Sequence, residues 1–297
     1  MTTTTTTHYL PTPRRWVWLA NPTLRRFLRH KLAVLGVVMI TTLVLACVFG
    51  PYLLQYNDLS IDIRNRFAPP LTGSHYLGTD ALGRDTAARL LKAGRISLMV
   101  GFCAMLMSIV IGTLIGVIAG YYRGWVGAAL MRFVDAFLSF PSVFLVLVLA
   151  AFTKPSPMMI TLIIAVTSWM EISRIVEAEI RSLRERDFTL AARMIGASNR
   201  WIMFRELMPN AIGPIIVAAT LTIANAILLE AYISFLGYGI QPPLPSWGNM
   251  LNAAQQYLGK APWLAIIPGL AITLAVTSFN FIGDGLRDAL DGRSDLK

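Results

Sequence analysis

Long uncharged runs alternate along this chain with short segments rich in charge. Leu32–Asn57, Ile96–Tyr122, Ala136–Thr153, Pro155–Met170, Leu207–Leu229 and Ala261–Gly283 contain no Asp, Glu, Lys or Arg. A helix needs about 20 residues to cross about 30 Å of hydrocarbon. Each run can therefore support a crossing, provided the fourth continues as helix past Glu171. The pattern predicts an all-α membrane protein with six transmembrane helices. It divides the chain into a tail over 1–31, a first helix over 32–54, a loop over 55–95, a five-helix core over 96–283 and a terminal segment over 284–297. Within the core, a long loop spans about 174–209.

Composition agrees. Hydrophobic residues make up 55% of the chain and charged ones 14%, against about 25% charged in an ordinary soluble domain. The lipid bilayer is thus the expected solvent. The net charge of +10 raises the question of nucleic acid, but Lys and Arg are concentrated between the apolar runs. That is how loops orient a polytopic protein, so no nucleic-acid partner is expected. With the N-terminus placed in the cytoplasm, 18 Lys and Arg fall inside and 8 outside, six of the latter in the 55–95 loop. The bias predicts both termini inside and a multi-pass protein of the bacterial inner membrane. Met1–Thr7 is a threonine tract without the apolar core of a cleavable signal. It predicts a disordered cytoplasmic tail before an uncleaved first helix.

Cys47 and Cys103 lie inside apolar runs and read as small hydrophobes. Trp16, Trp18, Tyr52, Tyr56, Tyr121, Tyr122, Trp125, Tyr238, Trp247, Tyr257 and Trp263 flank the runs, as an interfacial belt would. Ala104, Ser108, Gly112, Gly116 and Gly120 recur every fourth residue, a spacing that lets a second helix approach closely. Pro141 and Pro268 are candidate kinks, because proline removes a backbone donor.

The 174–209 loop reads as helix, sharp turn, helix. Gly196 suits a left-handed cap after Ala191, Ala192, Met194 and Ile195, and Ser198 can cap the helix carrying Trp201, Ile202 and Phe204. Pro209 ends that helix or opens the next. Such a knob could carry motion from a cytoplasmic protein into the bilayer, or it could be a plain amphipathic surface helix.

The segment resembles the EAA loop of bacterial ABC importer permeases. Ala191, Ala192, Gly196, Met208 and Pro209 fall in its register, while Leu190 stands at the glutamate position and Glu206 at an apolar one. Further blocks resemble C-type subunits of dipeptide and oligopeptide permeases. They are Leu77-Gly78-Thr79-Asp80 with Gly83-Arg84-Asp85, Ser234-Phe235-Leu236-Gly237 with Ser246-Trp247-Gly248-Asn249, and Gly283-Asp284-Gly285-Leu286-Arg287. The resemblance implies the type I importer permease (MetI-like) fold. It implies a B-type second permease, two ATP-binding subunits or one fused ATPase, and an extracytoplasmic substrate-binding protein. The substrate would be a peptide, or a related solute such as glutathione or a nickel chelate. ATPase coupling would fall to Leu190, Ala191, Ala192, Gly196, Ser198, Trp201 and Pro209.

Catalytic chemistry is missing from the sequence. The only Gly-Lys pair, Gly259-Lys260, is followed by Ala261, so no phosphate-binding loop exists. His8, His30 and His75 are isolated. The expectation is a non-enzymatic subunit that binds neither metal nor cofactor, with ATP and magnesium on its partners. Glu230 is the conspicuous charge. If the fifth helix starts near Pro214, Glu230 lies about 24 Å along it. A carboxylate at that depth faces a cavity, a partner or the bundle interior. Glu230 and Ser234 are therefore candidates for the substrate path or gate, with a structural pair as the alternative. The Ser74–Arg95 stretch could dock a binding protein, cover a pore, or lie as an amphipathic helix with Leu82, Leu90 and Leu91 toward lipid.

Overall fold

The structure is a computed structural model that describes residues 22–290. The threonine tract, Trp16 and Trp18 lie outside the described residues. Among the described residues, ten α-helices of eight residues or more organise the fold: α1 Pro22–Arg29, α2 Lys31–Leu53, α3 Thr86–Tyr121, α4 Trp125–Leu138, α5 Ser142–Ala151, α6 Pro157–Arg184, α7 Asp187–Met194, α8 Ile212–Phe235, α9 Trp247–Ala254 and α10 Trp263–Leu290. Five of them (α2, α3, α6, α8 and α10) are long and apolar enough to cross a membrane alone.

The predicted third crossing is broken. α4 and α5 meet at a bend of 77° and make a sixth crossing only when counted together. The cause is local: Pro141 sits at the N-cap of α5 with extended backbone (ψ 127). Proline also disfavours helical geometry in the residue before it, so α4 ends ahead of Phe140. Pro268, by contrast, lies inside an unbroken α10.

Three boundaries shift from the sequence reading. α3 begins at Thr86, not near Ile96, because Asp85 caps it by accepting from the Ala88 N–H at 2.7 Å. α10 runs past Gly283 to Leu290. The stretch before Leu32 is helical over Pro22–Arg29 and packs on α10, where His30 approaches Asp288 at 3.4 Å.

The small-residue stripe on α3 packs against α6, the most extensive helix pair in the fold. A Cβ added at Gly112, Gly116 or Gly120 would stand 2.7 Å from α6 atoms, including the carbonyl oxygens of Trp169, Ser173 and Glu177. Ser108 extends the seam by donating to the Ala165 carbonyl at 3.1 Å. Close backbone approach of this kind is what holds helices together where lipid removes the hydrophobic driving force. Against the belt reading, Trp247 is fully buried and packs with Cys47, Leu90 and Leu91.

Candidate functional site

Two features occupy opposite ends of the helices: a knob over 187–209 and a cap built from 55–85 with 234–262.

The knob follows from its capping residues. α7 stops at Met194, and Gly196 takes φ +82, a conformation that a side chain would strain. Ser198 accepts from the Trp201 N–H at 3.3 Å. Residues Ile202–Leu207 then widen into a π-helical turn before Met208–Asn210. Pro209 has no N–H to return to the preceding turn, and π-turns of this kind recur at functional sites.

One side of the knob is anchored. Arg184 is buried and donates to the carbonyls of Gly120 and Tyr121 at 2.9 and 3.0 Å, so a cation caps the free end of α3. Tyr121 donates to Asn199 Oδ1 at 2.7 Å, and Arg193 lies 5.4 Å from the centre of the Tyr121 ring. Thr189 donates to the Leu183 carbonyl at 3.0 Å. Ala192, Ile202, Met203 and Leu207 complete a buried cluster with Val176 and Ile180 of α6. Glu185, at the knob's entrance, accepts from Arg123 and Arg184, which hold its carboxyl below the usual carboxylate range.

The other side is bare. Met194 is 89% exposed and Ile195 83%. Leu190, Ala191, Gly196, Ser198, Trp201 and Pro209 are exposed with them, and Ala192 alone of the expected coupling residues turns inward.

The cap is different in kind. Asp80 accepts from the Leu82 and Arg84 N–H groups at 2.8 and 3.0 Å and pairs with the Arg84 guanidinium at 2.7 Å. Asp85 holds His75 at 2.8 Å, and His75 stacks on Tyr56. Thr79 accepts from the Ala68 N–H at 2.9 Å and donates to the Asn65 carbonyl. Gly78 and Gly83 have φ of +75 and +73, and a Cβ at Gly83 would fall 1.7 Å from the Asp62 carbonyl oxygen. Leu90 and Leu91 pack inward and Arg89 is buried, so the stretch is not a helix lying on lipid.

Glu230 joins cap to bundle. It is fully buried and accepts from Ser97 and Ser234 at 2.7 Å each. The Ser97 oxygen in turn accepts from the Trp247 N–H at 3.3 Å. Glu230 and Ser234 thus face the packed interior of this chain, tying α3, α8 and the start of α9 together.

This geometry coincides with a family signature. Residues 112–295, more than half of the chain, match the family described as binding-protein-dependent transport system inner membrane component. Residues 21–70 match the N-terminal transmembrane domain of oligopeptide transport permease C. The chain belongs to the binding-protein-dependent transport permeases. It is similar to a protein of Brucella suis named as a peptide permease, 44% identical over 273 residues that cover 91% of this chain and 90% of that one. It is 41% identical to the dipeptide transport system permease protein DppC of Alkalihalophilus pseudofirmus, over 89% of this chain and 86% of the relative. In fold it resembles a chain of the inward-facing MetNI methionine ABC transporter, with a TM-score of 0.57 and 21% identity over 68% of this chain and 96% of that one. As an inner-membrane permease of the ABC peptide importer family, it has the MetI-like helical fold that the resemblance implied.

Sequence reasoning missed three residues that the fold makes prominent. Arg184 and Tyr121 were counted only as loop charge and belt aromatic, although they clamp the knob. The fourth helix does continue past Glu171, as the sequence implies, but sequence reasoning assigned no role to this exposed carboxylate in the middle of α6. Only the uninterrupted helical pattern on both sides of Glu171 hinted at that placement.

Proposed function

We propose that this chain is one of two permease subunits of an ATP-driven peptide importer, with both termini in the cytoplasm. The knob docks into an ATPase subunit. ATP and magnesium act on that partner, and this chain does no catalysis of its own. A B-type permease completes the path, and an extracytoplasmic binding protein delivers a dipeptide or oligopeptide at the cap.

The observation that carries this reading is the two-sidedness of the knob. Apolar side chains as exposed as Met194 and Ile195 mark an interaction surface when they cluster. A partner that pushed on them would push on α3 and α6 directly, through Arg184 and Tyr121. Alternating access needs such a rigid link between the site of ATP hydrolysis and the helices that move. The peptide class rests on relatives named for peptides and dipeptides.

The test is reconstitution of the chain with its second permease, ATPases and binding protein in proteoliposomes. ATP-dependent uptake of a labelled dipeptide is expected, and its abolition is expected when the ATPase subunits are left out. Uptake driven by a proton or sodium gradient without ATP would refute the proposal in favour of an ion-coupled carrier.

A further inference from the structure

A polar notch of about 290 Å³ opens between α5, α6 and α8, lined by Ser142, Thr167, Ser168, Glu171 and Asn225 with Leu228 and Leu229. Its depth is unusual for such residues. Glu171 lies 14 residues into α6, about 21 Å from the start of that helix at 1.5 Å per residue. Asn225 lies 13 residues into α8, about 20 Å from its start. Both therefore sit near the middle of helices long and apolar enough to cross a membrane.

Several carboxylates on and beside α6 are paired: Glu177 with Arg181, Glu185 with Arg123 and Arg184, and Asp135 with Arg174 at 2.8 Å. Glu179, about two turns closer to the knob, lies outside the notch. Glu171 has no ion pair among the described residues, and both it and Asn225 are exposed. A charge at that depth is costly unless it faces water or a partner. Helix packing does not account for it, because the α3 seam uses the opposite residues of α6, Ile172, Ser173 and Val176. An apolar cavity of about 440 Å³ shares Leu228 and Leu229 with the notch and continues to Tyr232 and Phe235. The two together offer one anionic point, several neutral polar groups and an apolar wall.

We infer that this notch is a substrate station within the translocation path, where Glu171 receives a cationic ammonium group of the passing solute and Asn225 and Ser168 hydrogen-bond its amides. The inference rests on the peptide-importer reading. The cation is either the α-ammonium of a peptide or a lysine side chain. In both cases a carboxylate inside a water-filled cleft concentrates it, by about tenfold or more.

The experiment uses the full reconstituted complex, with Cys47 and Cys103 replaced by serine. Reporter cysteines are introduced singly as N225C and S168C, so that one poorly assembling variant does not end the test. Each is exposed to a cationic and an anionic methanethiosulfonate of similar size, with ATP and without. Reaction of the cationic reagent is expected to be about tenfold the faster, and E171Q is expected to remove that preference. Uptake of dialanine and of lysyl-alanine is then compared in E171Q without reporters. Loss of several-fold for both assigns the α-ammonium, and loss for lysyl-alanine alone assigns the side chain. The inference is overturned if both reporters stay unreactive in every nucleotide state. It is equally overturned if E171Q changes neither the reagent preference nor uptake. Absence of ATP-dependent uptake by the unmutated complex would instead bring down the importer reading itself.

Discussion

The cap and the knob are built from similar residues, and they treat them in opposite ways. In the cap, Asp80, Asp85, His75, Thr79 and Arg84 are all partnered within the chain, and its aromatic anchor, Trp247, is fully buried. In the knob, Thr189 is buried and Arg184 and Tyr121 clamp the base, while Met194, Ile195 and Leu190 face outward with no partner within the described residues. A polar network satisfied at every member rigidifies a structure. An apolar face left open marks a surface completed by another protein. The polar network of the cap thus closes within the chain, although Leu71 and Ile63 stay exposed beside it, whereas the knob's open face is the one proposed above to meet an ATPase.

Substitutions can break that contrast at either end. The largest effect is expected from Gly83→Ala in the cap. Its Cβ would overlap the Asp62 carbonyl at positive φ, a combination of clash and backbone strain costing about 3 kcal/mol or more. Thermal denaturation of the purified protein should show it, along with protease cutting within 55–85. Next comes Arg184→Ala at the clamp. Two carbonyls at the end of α3 lose a charged donor, for about 2–3 kcal/mol. ATP hydrolysis should continue while uptake falls, because the joint is loosened on the permease side.

Glu230→Gln should cost less, about 1–2 kcal/mol, because the serine hydroxyls that donate to the carboxylate can rotate to accept from an amide. If uptake collapses while the melting temperature holds, Glu230 acts on substrate and is not merely a tie between cap and bundle. Met194→Ser is expected to leave stability within about 0.5 kcal/mol, since the side chain is 89% exposed. Affinity for the ATPase subunit, measured by co-purification, should nonetheless drop. Acidification makes the smallest change. The Glu185 carboxyl is held low by Arg123 and Arg184, so its pairing contributes above the unfolded carboxylate pKa and is lost as pH falls through the lowered folded value. The effect is minor at an exposed site, and Glu185→Gln should flatten that part of the stability profile.

What the sequence made legible was whatever depends on near neighbours. Six uncharged runs, the α3 stripe of small residues, the left-handed turn at Gly196 and the Ser198 cap all follow from spacing alone. The turn at Pro141 was signalled, although not its sharpness, because the direction of α5 depends on its packing against α6. What stayed hidden depends on distant partners. The grip of Arg184 on the end of α3 spans more than sixty positions. Trp247 left the expected belt because Gly94 and Cys47 shape a place for it in the core. Asp85 as the cap of α3 was readable and was overlooked, since charge counting placed the whole 55–95 stretch in one loop.

The central claim is that the bare face of the knob is completed by an ATPase, and Ala191→Asp tests it most directly. Ala191 is exposed, so the substitution should leave the fold, the cap and the six crossings intact. In proteoliposomes containing the whole complex, the account predicts that uptake falls to background and that the ATPase subunits separate from the permease on purification, with its melting temperature unchanged. Wild-type uptake by a complex carrying that aspartate would contradict it.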